Sequence, residues 1–412
     1  MSFSYKLPLG LVLGLGALAG CKKDIDKYHP SPVTGGFATI VLPNTPVLAT
    51  KYAPGETIPL TLGYNTGDNP TNFTVFQATK TDSAQVGSYP ISGTLDGSTG
   101  ASVQTVPYTV PATYPVGTAV RVDIRVIFAD GGVRLRRITY TVGNAPTLAN
   151  GTTTLTYRNG LGASQQLEGD VIGYAVALNT GGVSTGTGTN LYKAVDSLVY
   201  SARAGSNGAL QRQGVIKTPT NGAALNRTID VRIPSGSAAA GGAQFVFTAY
   251  AQNTTTTLTS ALLPVAGTST ALATTRRGTV SFGAGSSPDS LAFNLVEGLN
   301  EPAANAVTAK DLQVSGLSSS GALTLSAPNA SRFYKLTSTQ LAATPYATAT
   351  ANAVGALSYQ NTASADLGAP AVGDVYAGRL RSTGAPVLLR IIGVRGSTGG
   401  SVGRVRFEYR GL

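Results

Sequence analysis

Residues 120–142 read VRVDIRVIFADGGVRLRRITYTV. Val120, Val122, Ile124 and Val126 alternate with Arg121, Asp123 and Arg125, which puts apolar side chains on one face of an extended chain and charges on the other. Asp130-Gly131-Gly132 separates this run from a second, Val133 to Val142. Glycine after aspartate accepts the positive φ of a tight turn, so the stretch predicts an antiparallel hairpin with one buried face. Similar runs rich in Val, Ile, Thr, Tyr and Phe recur along the chain between Gly, Asn, Asp and Pro clusters. The expected class is mainly β.

Working outward, residues 55–67 (GETIPLTLGYNTG) lie without gaps over 169–181 (GDVIGYAVALNTG), identical at five of thirteen positions. Val110-Pro111 and Val120 to Phe128 likewise lie over Ile233-Pro234 and Phe245 to Ala251, with Val122, Ile124 and Val126 opposite Phe245, Phe247 and Ala249. The offset grows from 114 to 123 residues, and the Gly/Thr-rich stretch Gly182 to Asn190 is the natural insertion. A repeat of this length is a whole domain. Each copy offers about seven short strands between turns, the pattern of an Ig-like sandwich. Gly55-Glu56-Thr57-Ile58 with the alternation to Tyr64 also resembles the second strand of bacterial Ig-like modules. The resemblance covers residues 35–268 and implies two tandem β-sandwiches, 35–144 and 145–268; it carries no functional residues.

The remainder, 269–412, reads as a mixed, mostly β domain with one short helix near Pro345 to Ser358, Thr344 as its cap and Gly355 as its weak point. Three strands close the chain: Asp374 to Arg381, the nearly all-apolar Val387 to Val394, and Val402 to Tyr409. The middle one is expected inside a sheet.

Composition narrows the chemistry. The 412 residues include one Cys, one His, one Met and no Trp. His/Cys metal sites, Cys–His nucleophiles and Ser–His–Asp triads have too few residues to form, and no intramolecular disulfide is possible. In residues 1–20, Lys6 precedes an apolar core from Leu7 to Ala17, too short to span a bilayer and suited to a secretory leader. Leu18-Ala19-Gly20-Cys21 resembles the lipobox of bacterial lipoproteins. The resemblance implies cleavage between Gly20 and Cys21 and acylation of Cys21, so membrane lipid is the first expected partner. Residues 21–34, with Asp24, Asp26, His29, Pro30 and Pro32, form the expected stalk. The implied location is the cell envelope, anchored to the outer membrane and facing either the surface or the periplasm.

The formal charge is +11, of which the leader contributes one lysine. Its sharpest concentration is the C-terminal sheet, where alternation places Arg379 and Arg381 on one face and Arg404, Arg406 and Arg410 on one face. Such a row can hold an anionic glycan or phosphate through bidentate guanidinium contacts. Alternation with Val405, Phe407 and Tyr409, interrupted by Glu408, is equally what a solvated sheet face produces, and this plainer reading is favoured. Spread-out basic residues and the absence of a nucleic-acid motif argue against nucleic acid.

No catalytic residue is assigned. Gly182-Val183-Ser184-Thr185-Gly186 matches a nucleophile elbow, but that motif needs a histidine, and His29 lies in the stalk. Acid pairs occur at Glu168/Asp170 and Glu297/Glu301; Asp170 has a counterpart, Glu56, in the other repeat, which suits a structural role. The Asn65 to Asn69 turn offers calcium-type oxygens, though turn geometry alone explains it, so no metal or cofactor is assigned. Asp82-Ser83-Ala84, Asp196-Ser197-Leu198 and Asp289-Ser290-Leu291 resemble a bacterial O-glycosylation acceptor. Tyr64, Tyr200 and Tyr250 sit in strand patterns and are expected in cores.

Three functions fit. The first is a non-catalytic envelope lipoprotein whose Ig-like modules bind a glycan or a surface protein, or act as spacers. The second is a glycan-capture lipoprotein, similar to those of outer-membrane polysaccharide uptake systems, against which the missing Trp counts. The third is a carboxylate-dependent glycoside hydrolase. The sequence favours the first and leaves the oligomeric state open.

Overall fold

Alternating runs become strands where their apolar phase meets a second sheet. The structure, a computed structural model, describes residues 38–40, 50–98, 100–180, 191–283, 290–302, 304–318, 321–381, 384–396 and 402–411. The expected leader, Cys21, the stalk, the insertion around Gly182 to Asn190 and Asp289 lie outside these residues. Over the described residues the chain is mainly β, sandwich-like, with two short helices. It divides into two compact units: residues 1–144 with 185–193, and 145–184 with 194–412.

The first unit holds β1–β9 (Ala38–Ile40, Lys51–Tyr52, Thr57–Tyr64, Pro70–Ala78, Ser83–Pro90, Thr94–Asp96, Ala101–Thr109, Ala119–Phe128 and Val133–Val142). Its sheets have the orders β1-β3-β7-β6 and β2-β9-β8-β4-β5. Leu60, Leu62 and Val106 from one meet Phe73, Val75, Val122 and Ile124 from the other in a dry core. The expected hairpin is β8–β9, closing at Ile127 opposite Val133. Its register sets Asp123 opposite Arg137 on the outer face. There Arg137 donates from Nε (2.7 Å) and Nη2 (3.2 Å) to the two carboxylate oxygens, and Arg121 adds a contact at 3.1 Å. Asp123 is consequently buried although it lies on the outer face.

The chain returns to this unit at Leu191–Lys193. Asn144 bridges Tyr192 in parallel, donating to Leu191 O (2.8 Å) and accepting from Lys193 N (3.0 Å).

The second unit contains a second sandwich, β10–β16 (Leu148–Tyr157, Val171–Leu178, Val195–Ala204, Gln211–Thr220, Leu225–Arg232, Ala243–Ala251 and Thr254–Thr259). Its sheets run β10-β11-β14 and β13-β12-β15-β16 around Ile172, Tyr174, Leu198, Phe245 and Phe247. The internal repeat holds at the level of single hydrogen bonds. Gly55 N to Val110 O (2.9 Å) and Val110 N to Glu56 O (2.8 Å) recur as Gly169 N to Ile233 O (2.9 Å) and Ile233 N to Asp170 O (3.0 Å). Both glycines have positive φ, +79° and +87°, which explains why the repeat keeps glycine there.

The C-terminal module of this unit adds β17–β26 (Thr274–Phe282, Ala292–Asn294, Leu299–Glu301, Leu312–Leu317, Leu323–Ser326, Arg332–Lys335, Asp366–Gly368, Val375–Leu380, Ala385–Arg395 and Gly403–Gly411). The sheets are β17-β26-β25-β24-β22 and β19-β18-β20-β21-β23, with apolar β25 in the middle of the first, as expected. The helical segment departs from expectation. Two helices form, α1 (Ser338–Ala343) and α2 (Ala351–Gln360). Thr344 ends α1, and Thr350 caps α2 by accepting from Ala353 N. Pro is favoured both at a helix start and just past a helix end, and at 345 the second role applies. Thr337 and Gln340 make a reciprocal capping box on α1, a signal present in the sequence and overlooked.

Helix α2 docks on the second sandwich through its glycine. A Cβ at Gly355 would sit 2.2 Å from the carbonyl oxygen of Asn159. Around this contact Leu161 joins Leu272, Tyr346, Ala351, Val354 and Leu388 in a separate apolar core.

Two outcomes follow from these contacts. Gly355→Ala would strengthen an isolated helix by about 1 kcal/mol, whereas overfilling a packed contact costs about 1–3 kcal/mol, so urea unfolding should show a net loss. Arg137 holds the Asp123 carboxyl below its usual range. That contact therefore contributes its full stabilisation above about pH 4 and loses it as pH falls through the depressed folded value. Asp123→Asn should destabilise at pH 7 by about 1–2 kcal/mol, with a gap from the wild type that narrows in acid.

Candidate functional site

The arginines singled out from the sequence do not form one face. Arg379 stays in β24 and lies over the ring of Tyr359 on α2, 4.4 Å from its centroid. Arg381 lies just past the strand with φ +54°, so the alternation that would align it with Arg379 has ended. Its guanidinium makes a bidentate pair with buried Asp311 (Nε–Oδ1 and Nη2–Oδ2, both 2.9 Å) and donates to Asn294 Oδ1 at 3.0 Å. Arg410 donates to the carbonyls of Tyr346 (2.8 Å), Ala347 and Ala273 (3.3 Å). These three arginines hold the fold. Arg404 and Arg406 are exposed, and Arg404 faces Arg395 across the β25–β26 ladder. Glu408 is buried between Arg390 and Arg277.

The candidate acids other than Glu297 are likewise engaged. Glu56 and Asp170 occupy the same turn of the two sandwiches and do the same work: Glu56 Oε2 accepts from Ala53 N (2.7 Å), and Asp170 Oδ2 from Leu167 N (2.8 Å). Each also binds a more distant residue. Glu56 Oε1 meets Lys193 Nζ at 2.6 Å, with both side chains 2% exposed. Asp170 Oδ2 accepts from Asn352 Nδ2 of α2 (2.7 Å) and Asn159 Nδ2 (3.0 Å). Glu168 accepts from Ala238 N at 3.0 Å, and the N–H groups of the 236–238 turn hold its carboxyl below the usual range. Buried Glu301 accepts from Asn294 and Asn305, while Glu297 is exposed.

The Asn65 to Asn69 segment is a short 3₁₀ turn in which Asn65 Oδ1 accepts from Gly67 N and Asn69 has φ +51°. No group of three or more potential metal-ligating side chains occurs among the described residues. Ser83 is exposed at the start of edge strand β5, whereas Ser197 lies inside β12, flanked by β13 and β15. Tyr64 is fully buried and Tyr200 half-buried, but Tyr250 is 40% exposed: it points opposite to buried Ala249 and Ala251, so its strand pattern placed it outside.

One cleft of the second unit lies elsewhere, with a volume of about 980 Å³, beside β13, β14 and the end of α2. Its lining includes Arg158, Arg212, Arg232, Asp230, Tyr200 and Tyr359. Arg158 meets Asp230 at 2.9 Å and lies so close over Gly173 that a Cβ there would be 2.7 Å from Nη2. Arg232 Nη1 donates to Gly169 O at 2.6 Å. The amide of Gln213 on β13 donates to Arg232 O and accepts from Arg232 N (2.7 Å), fixing the edge of β14. Sequence reading missed this site because its arginines lie in three separate segments.

No protein-family model matches the sequence, and no curated protein matches it. Among solved structures, a DUF4466 family protein from Parabacteroides merdae is similar at 12% identity, with 66% of this chain and 100% of that chain covered and a TM-score of 0.24. So slight a likeness carries no argument about function.

If Asp170 is a structural tie, Asp170→Ala should lower the unfolding free energy by about 1–3 kcal/mol, since it orphans several donors at once. An unchanged urea midpoint would contradict that role.

Proposed function

We propose that the protein is a non-catalytic, lipid-anchored component of the bacterial cell envelope whose Ig-like modules present a ligand-binding surface. The anchor is the acyl chain on Cys21 after removal of residues 1–20, and the stalk to residue 34 spaces the modules from the outer membrane. One observation carries the non-catalytic half of the reading. The acids Glu56, Glu168, Asp170 and Glu301 accept hydrogen bonds from turns and neighbouring elements, and the cleft's Asp230 is paired with Arg158. A glycosidase instead needs two carboxyls facing a substrate across about 5–9.5 Å. The arginine- and tyrosine-lined cleft supports binding, and it also favours the related role of glycan capture over a pure spacer.

Cells expressing the chain should incorporate labelled palmitate, and Cys21→Ser should abolish incorporation and release the protein from membranes. The purified full chain should leave a polysaccharide panel uncleaved. Hydrolysis that disappears on changing one acid pair would overturn the proposal.

A further inference from the structure

We infer that the cleft beside β13, β14 and α2 binds an oligosaccharide carrying carboxylate or sulfate groups; this rests on the non-catalytic binding role proposed above and names its ligand class. The first argument is charge. Three arginines and one aspartate line the cleft. Asp230 neutralises Arg158, leaving Arg212 and Arg232 uncompensated. Arg212 is exposed, and its side chain makes no hydrogen bond or ion pair among the described residues, its backbone alone pairing with β12. Arg232 gives one N–H to Gly169 O, and its other guanidinium donors are available to a planar oxyanion.

The second argument is preorganisation. Gln213 binds both backbone groups of Arg232, and Gly173 lets the Arg158 guanidinium lie flat beside Asp230. The Arg158 guanidinium and the backbone of Arg232 are thus fixed before any ligand arrives, which lowers the entropy cost of binding, while Arg212 stays free to reach the ligand. Because Gln213 occupies the N–H and C=O of Arg232, the β14 edge there is closed to a peptide strand seeking backbone pairing.

The third argument is the remaining lining. The amides of Gln211 and Gln360 and the phenols of Tyr200 and Tyr359 surround the arginines. Planar amides and phenols pair with ring hydroxyls, and the volume lies at the upper end of the roughly 300–1,000 Å³ of small-ligand sites, more than a lone inorganic anion fills.

Titration calorimetry on the detergent-solubilised full chain tests the assignment with oligogalacturonate, chondroitin sulfate oligosaccharides, neutral malto-oligosaccharides and inorganic sulfate. Binding of at least one charged oligosaccharide is expected, weakening with added salt, with the neutral oligomer and free sulfate much weaker. The stronger of the two charged probes identifies the group recognised, uronate or sulfate ester. Arg212→Glu should weaken that binding about tenfold or more with an unchanged unfolding midpoint, because this side chain holds nothing in the fold. The double variant Arg404→Glu/Arg406→Glu, on the exposed C-terminal sheet face, should bind as the wild type does. Failure of both charged probes to bind, or loss of binding in the double variant but not in Arg212→Glu, would overturn the assignment. Equal binding of the neutral oligomer would overturn the anionic class while leaving non-catalytic capture intact. Cleavage of any probe would instead remove the non-catalytic role itself.

Discussion

Each sandwich depends on one carboxylate in one turn. Glu56 and Asp170 follow a glycine with positive φ, accept the N–H three residues back, and set the start of β3 and β11. A carboxylate has two oxygens and several lone pairs, so closing the turn leaves capacity for another donor. The two copies diverge in what fills it. In the first unit it takes a buried ammonium, Lys193; in the second it takes the amide of Asn352 and with it helix α2. The ionic version is the less forgiving, since removing one partner of a buried pair leaves an uncompensated charge and costs about 3–5 kcal/mol. The amide version couples the sandwich to the C-terminal module without burying a second charge.

This pattern accounts for the placement of the cleft. Asp170 and Gly355 fix α2 against the loop that carries Asn159. Tyr359 and Gln360, at the far end of the same helix, therefore reach the cleft beside β13 and β14. Arg379 lies over the Tyr359 ring from the C-terminal sheet. A contact that is structural at one end of the helix positions lining residues at the other.

How much of this was legible in the sequence varies with the range of the signal. The hairpin at 120–142 was readable because a period of two and an Asp-Gly turn are local. The repeat was readable because the turn geometry demands Gly followed by an acid. Thr344-Pro345 misled because the same dipeptide suits the end of one helix and the start of another. The arginine rows misled for a different reason. Alternation states which side of a strand a residue occupies, but not that Asp311 waits for Arg381 or that three carbonyls wait for Arg410. The cleft was invisible because Arg158, Arg212 and Arg232 come together only after two sheets have packed.

The return of the chain to the first unit at Leu191–Lys193 has a consequence for the order of events when the polypeptide emerges from its N-terminal end. A sandwich ending at Val142 would ordinarily close as soon as its last strand appears. Here the carboxylate of Glu56 lies buried and stays without its cation until residue 193 has followed, 49 residues after Asn144. Until then the Glu56 turn cannot close on its cation, so β10 and β11 of the second sandwich are made before the first unit is complete.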